Sequence, residues 1–410
     1  MHKTLAINYK DQVAALVAAQ PESAQARLEA MDVFARLGVP QNRDEDWRHA
    51  SLKKLTMVPW QLMGNAGGTP KKVAGDFAAK IVFLDGIYSQ TKSQINVKDV
   101  SVQPVAAKLN HMDGLSALNA ALHQEAVSIT VAPNVTLKHP ILIQYVTSSP
   151  DDSVVHGCHY IEIGEGANAS ILEMYQGADT QYWLNDLVTI YVQEGATLRQ
   201  ARLVEAGQKA IQTSKNFIYI EKAATYKGFA LLLGGDMVRN ETHITSSGAE
   251  SFGQYDTVAL TASGQNHDTL TTMNHKIADS ASSQMYRSVV AARGKASFQG
   301  KITVAKDAQR TNAEQSSRAI LLDRAAEANA KPELEIFADD VKCSHGATVG
   351  ELDDKALFYC MSRGLSEDGA RMLLIEAFIA EMFERIEDDT ARSILVDAAY
   401  GGLKGLSDGK

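Results

Sequence analysis

Between Val127 and Leu322 no stretch sustains the 3.6-residue apolar period of an amphipathic helix. The chain runs instead as short segments of β-branched and aromatic residues broken by Gly, Asn and small-residue turns. Such an absence over so long an interval constrains the fold more than any single motif. The turns recur as Gly166-Ala167, Gly195-Ala196, Ala223-Ala224 and Gly248-Ala249, the alanines stepping by 29, 28 and 25 residues. An irregular period of this size fits stacked β coils, each burying its apolar face only against its neighbours. Propensity alone leaves a large β-sandwich equally open.

The flanks read differently. Asp11 to Gly38 is alanine-rich and broken by Pro21, giving two helical segments with stripes at Val13, Leu16 and Val17, then Leu28, Met31 and Ala35. Trp47, set among charges, reads as a packing anchor. Gly64 to Gly75 is a linker, followed by a short strand at Ile81 to Leu84 and a helix at Leu115 to Leu122. Beyond Leu365, Ser366 suits an N-cap for a helix that is apolar around much of its circumference, and a second helix starts at Asp388 or Asp389 and stops at Gly401-Gly402. Met372, Ile375, Phe378, Ile379 and Met382 are the candidate docking residues on the first of these, compatible with a solenoid cap. The resulting division is 1–63 helical, 64–126 linker and small α/β entry, 127–350 β core and 351–410 helical.

Composition removes several classes. A formal charge of -9 argues against a general nucleic-acid binder. No apolar run approaches the 18 or so residues of a membrane span, and MHKTLAINYKDQ lacks the apolar centre of an export signal. The three cysteines, at 158, 343 and 360, form no disulfide framework, and the cytoplasm is the expected compartment.

The segment Lys331 to Leu365 concentrates the chemistry. Pro332 to Phe337 alternates Leu334 and Ile336 with Glu333 and Glu335, a half-buried strand, and a polar turn is expected to follow. Cys343 and His345 share a face if the backbone there is extended, beside a glycine hinge at Gly346 and Gly350. A thiolate and an imidazole suit iron, zinc or copper, with Asp339, Asp340, Glu351 and Asp353 as nearby oxygen donors. Two ligands do not complete a site, and a buried thiol beside a hydrogen-bonded histidine explains the pair equally well. Asp353 caps a helix carrying Leu357, Phe358, Cys360 and Met361. His156, Cys158 and His159 form a second cluster in which only His156 and Cys158 converge; it reads as structural. LLLGGDMVRN lacks a phosphate-loop lysine and fits a coil corner, with Asp236 and Arg239 paired to each other or to solvent.

ADDVKCSHGATVG followed by FYCMSRGLSEDGARMLLIEAF resembles the signature of the SufB/SufD family of iron–sulfur cluster assembly proteins. GVPQNRDEDWRHASL, LLLGGDMVRNETH and GKASFQGKITVAKDAQRTNAEQSSRAILL fit the same family. Length and the short N-terminal helical region favour the SufD side, as do Ala326 and Gly346 where the scaffold paralogue carries a cysteine and an acid. The resemblance implies a right-handed parallel β-helix flanked by helical ends. It also implies a non-enzymatic subunit that pairs with a SufB-like paralogue and docks a SufC-like ATPase; a homodimer of the chain when alone is left open. His345 and Cys343 would then contact iron or a nascent cluster transiently at the paralogue interface, no cofactor being bound stably by the chain itself and reduced flavin remaining open for the assembly. A β-helix carbohydrate-active enzyme would need paired carboxylates in a groove, and a cysteine-based transferase an orienting third group; the sequence displays neither.

Overall fold

A computed structural model describes residues 9–50, 53–64, 67–107 and 113–408. The opening MHKTLAIN and Ser51-Leu52 of the tryptophan-bearing motif lie outside them. Seventeen strands build the coils. In chain order these are β1 (Ala79–Leu84), β2 (Ala126–Val131), β3 (Ile141–Thr147), β4 (Ser153–Ile163), β5 (Asn168–Gly177), β6 (Tyr182–Val192), β7 (Thr197–Glu205), β8 (Ile211–Ile220) and β9 (Thr225–Leu232). They continue as β10 (Met237–Ser246), β11 (Phe252–Thr261), β12 (Asn266–His275), β13 (Ala281–Val290), β14 (Lys295–Val304), β15 (Asn312–Leu321), β16 (Glu327–Ile336) and β17 (Lys342–Gly350). Even-numbered strands form one sheet and odd-numbered strands the other, all parallel, so that each coil gives one strand to each sheet of a β-solenoid of about eight turns. Parallel pairing reaches back to β1, which lies beside β3 from Ala79↔Ile141 to Leu84↔Val146.

In-register stacking places like residues over like. Ile129, Ile161, Ile190, Ile218, Ile244, Met273, Ile302 and Leu334 form one column up the interior of the even sheet. Branched aliphatics suit this position because each packs on the same residue type above and below, and burying each side chain contributes about 1.5–3 kcal/mol. The corners are also stacked. Asn134, Gly166, Gly195, Ala223, Glu250, Asp279 and Arg310 all adopt positive φ, between 55° and 66°. Successive corners are tied by main-chain bonds such as Gly166 N to Glu194 O and Gly195 N to Lys222 O.

Helices cover both outer faces. On the even sheet lie α1 (Lys10–Ala19), α2 (Ala24–Leu37), the short α3 (Lys53–Met57) and α4 (Gly114–Leu122), whose apolar residues enclose Val154, Trp183, Ile211 and Met237. After the solenoid come α5 (Asp354–Ser362), α6 (Glu367–Phe383) and α7 (Asp389–Asp408). The last two lie along the flank of the odd sheet, with Ile375, Ile379, Met382, Phe383, Leu395 and Leu403 packed on residues from Leu142 to Val289. The cap expected at the end of the stack is therefore a flank cover. No helix among the described residues is long and apolar enough to cross a membrane.

Candidate functional site

The last coil is the unfinished part of the stack. β16 and β17 each pair on one side only, with β14 and β15, and end their respective sheets. Pro332, which has no N–H to give a ladder, sits on one of these edge strands, where its cost is low. Most of β17 is exposed, and Phe337 beyond β16 is 64% exposed. The polar turn expected after Phe337 is confined to the bend at Asp339-Asp340, and the glycine hinge expected beside Cys343 is absent: Lys342–Gly350 is continuous strand, because its main chain pairs with β15 throughout.

Extended backbone does place Cys343 and His345 on one face. Cys343 lies over Ala313 and His345 over Gln315, both buried, so the pair faces the solenoid interior at its open end. His345 ends a column running through Ile141, Ile171, Gln200, Gly228, Tyr255, Gln284 and Gln315, which changes from aliphatic to polar towards the open end. Below it, Gln315 Nε2 donates to Gln284 Oε1 at 2.9 Å. Cys343 is half-buried against the core, and burial pushes its thiol pKa up, which disfavours the free thiolate. His345 is exposed. A Cβ at Gly346 would meet nothing within 4 Å, so relief of crowding beside His345 does not explain this glycine. Among the described residues no three His, Cys, Asp or Glu side chains gather as a metal site. The open end thus presents two donors of an incomplete set.

Immediately after this edge the chain enters α5, whose start is fixed by Asp353 accepting from the N–H groups of Lys355 and Ala356 at 2.7 and 3.2 Å. None of its residues is buried. Phe358, Tyr359, Met361 and Leu365 are 73, 58, 42 and 42% exposed, an apolar patch on one short helix and its exit. The docking residues chosen from sequence fare differently. Ile375, Ile379 and Met382 are at most 6% exposed, and Met372 and Phe378 pack partly in the same cluster, because α6 spends its apolar side on its own sheet. Cys360, half-buried, lies on α5.

The remaining sequence candidates are structural. His156 and Cys158 face outward under α4 while His159 faces the interior, and all three are buried. Burial is the leading cause that lowers the imidazole pKa values of His156 and His159 to about 3, and it pushes the Cys158 thiol up to about 12. Arg239 pairs not with Asp236 but with Asp268 Oδ2 at 2.5 Å, which faces it across the ladder, and with Glu241 Oε2 at 3.3 Å, two residues along its own strand on the same face. Trp47 stacks on its guanidinium at 4.5 Å, as an anchoring residue would. Sequence reading missed a charged group sealed inside the stack: Arg202 Nε is ion-paired with Glu173 Oε2 at 2.7 Å and Arg202 Nη2 donates to Tyr175 Oη at 2.7 Å, while Tyr175 Oη donates to Asp186 Oδ2 at 2.8 Å. The signal was there as Glu173, Asp186 and Arg202 at inward positions of otherwise apolar strands.

Residues 145–378 match the family model described as SUF system FeS cluster assembly, SufBD core domain. The chain is 29% identical over 371 residues to the iron–sulfur cluster assembly protein SufD of Escherichia coli, covering 86% of this chain and 87% of that protein. It is 27% identical over 396 residues to an iron–sulfur cluster assembly SufBD family protein of Synechocystis, covering 87% and 86%. Protein ABCI7, chloroplastic, of Arabidopsis thaliana is 29% identical over 299 residues, covering 71% of this chain and 62% of that protein.

Proposed function

The chain belongs to the SufBD family of iron–sulfur cluster assembly proteins, and from that membership we propose that it is a non-catalytic cytoplasmic subunit of a cluster assembly complex. The observation that carries the reading is the open last coil, which offers two unpaired strand edges and two cluster-type donors in one place. Unpaired edges of this length favour strand addition by a second chain. A SufB-like paralogue meeting β16 and β17 would bring the missing ligands to Cys343 and His345, and iron or the nascent cluster is the cargo bound between them. His345 contributes first, because it is accessible and its free nitrogen needs no deprotonation of a half-buried thiol.

The patch on α5 is the contact for a SufC-like ATPase. Acids flank it, with Asp353 and Asp354 at the start of the helix and Glu367 and Asp368 after its exit. ATP-driven movement of the ATPase would then act on the chain next to the open edge, since only residues 351–353 separate β17 from α5.

Coexpression with the neighbouring Suf genes and anaerobic isolation tests the whole reading. His345→Ala should leave complex composition and thermal midpoint near wild type while lowering iron content. A variant complex with undiminished iron removes His345 from the site. Removal of everything after Leu365 is a poor test of ATPase docking because it would strip the cover from the odd sheet. Phe358→Asp with Tyr359→Asp should release the ATPase while the paralogue stays bound; retention of the ATPase places the contact elsewhere.

A further inference from the structure

Three segments that carry family resemblance but no role so far meet at one cleft. Residues 42–50, from the motif around Trp47, run as a strap across the outer face of the even sheet. Asn266 Nδ2 donates to His49 O at 3.2 Å, Gln299 Nε2 to Asp46 O at 2.9 Å, and Lys331 pairs with Glu45 at 2.6 Å. Between this strap and the corners that lead into β10, β12, β14 and β16 lies a cavity of about 450 Å³, within the range of small-molecule sites. Its walls take Arg48 from the first segment, Asp236 from LLLGGDMVRNETH and Lys295 from GKASFQGK, with Arg293, Asn266 and Glu327 beside them.

The charges at this cleft do not cancel. Three fixed cations, Arg48, Arg293 and Lys295, face two carboxylates, Asp236 and Glu327, in a chain whose formal charge is -9. Lys295 and Glu327 satisfy each other at 2.8 Å, and Glu327 also accepts from Asn329 at 2.9 Å. Arg293 Nη2 donates to the neutral Ser263 hydroxyl at 3.2 Å, and among the described residues Arg48 makes no contact ion pair, Glu45 of the strap acting on it through charge alone. Asn266 is 7% exposed, with its side-chain oxygen unpartnered, an acceptor that suits a hydroxyl or protonated oxygen of a ligand and not an anionic one. The strap itself is braced, Asn42 Nδ2 donating to Ala50 O at 2.8 Å and to Arg48 O at 3.2 Å. A guanidinium fork matches two oxygens of a carboxylate or phosphate, and two such forks with no carboxylate hydrogen-bonded to them among the described residues, in a braced polar cleft, constitute a preorganised oxyanion site.

We propose that this cleft binds a small oxyanion metabolite, phosphate- or carboxylate-bearing, with Arg48 and Arg293 as its principal ligands. The site lies on the outer face of the solenoid. Its walls include both the strap and Glu327 of the last coil, so a bound anion would tie the N-terminal segment to that coil.

Isothermal titration of the full-length chain with pyrophosphate in one arm and citrate in the other, in a buffer free of both, tests the site. One saturable site is expected in at least one arm, and the arm that binds names the source of the oxyanion. Arg48→Gln with Arg293→Gln should weaken it at least tenfold, whereas Arg310→Gln, a surface change in another corner, should not. Glu327→Gln frees Lys295 and should tighten binding severalfold; it supplies the opposite sign should the double variant lose its thermal transition. No saturable binding in either arm, or unchanged affinity in both the double variant and Glu327→Gln, overturns the proposal.

Discussion

At its first coil the solenoid is finished by antiparallel strands: Val100–Pro104 pairs with β2, and Ile87–Tyr88 and Gln94–Ile95 pair with β1. At its last coil β16 and β17 have no further strand beside them among the described residues, and their inward residues meet solvent. The same repeat therefore serves two purposes. Where neighbours lie on both sides it buries whatever points inward, even charge; where one neighbour is missing it displays the same inward positions as a surface. The stack explains why a single register position is an aliphatic core residue at one level and a candidate ligand at another.

Arg202→Leu should give the largest effect in a comparison of the two regions. It removes the one cation from between Glu173 and Asp186, both sealed in the interior, where burial raises their carboxyl pKa values and the guanidinium opposes that rise. Leaving such charges uncompensated costs about 3–5 kcal/mol, read as a lower urea midpoint. Lys301→Leu, which loses an exposed pair with Glu335 next to the open coil, should leave that midpoint unchanged within error.

A second contrast uses one interior column. Ile190→Ala, with coils above and below, should cost about 2–5 kcal/mol, whereas Leu334→Ala in the last coil should cost about 1 kcal/mol because its site is only half enclosed. Equal losses would mean that the last coil is covered in solution, and sedimentation would then reveal the covering copy.

The third contrast is in pH. His123, His267 and His275 have pKa values lowered to about 4 and His156 and His159 to about 3, with desolvation the leading cause in each. A histidine neutral in the folded chain binds fewer protons there than when unfolded. Its stabilising contribution is therefore complete above pH 6.5 and is lost as the pH falls towards 4 or 3, each histidine adding a slope of up to about 1.4 kcal/mol per pH unit. Glu173 and Asp186, raised by burial, act with the opposite sign, their cost growing as the pH rises through their folded pKa values. Urea midpoints should thus fall below pH 6.5. The smallest contrast is between glycines: Gly207→Ala would drive a Cβ to 1.9 Å from Ala178 O and should lower the melting temperature by several degrees, while Gly346→Ala should not move it.

Legibility from sequence followed the same division. Strand periodicity, caps at Asp353 and Ser366, and the first corners were readable because their residues are chemically typical of their positions. Corner recurrence faded after Gly248-Ala249 because Glu250, Asp279 and Arg310 take the left-handed backbone that glycine takes at Gly166 and Gly195, and their side chains disguise it. The shared face of Cys343 and His345 followed from period 2; the continuity of their strand did not, since glycines usually signal a turn and pairing with β15 overrides them here. The breadth of apolar character on α6 signalled a need for cover, yet periodicity carries no address, and the chain's own odd sheet meets that need.

The placement of α6 and α7 has a mechanical consequence. They bridge β3, β5, β7, β9, β11 and β13 through apolar contacts, and Arg385 on the stretch between them is tied to Asp256 of β11 at 2.6 Å. A pull applied to α5 along this pair is shared across six strands as shear, with each rung carrying a fraction of the load. The solenoid body would translate as one piece, and the strain would gather where the splint does not reach, between β13 and the free rim at β17.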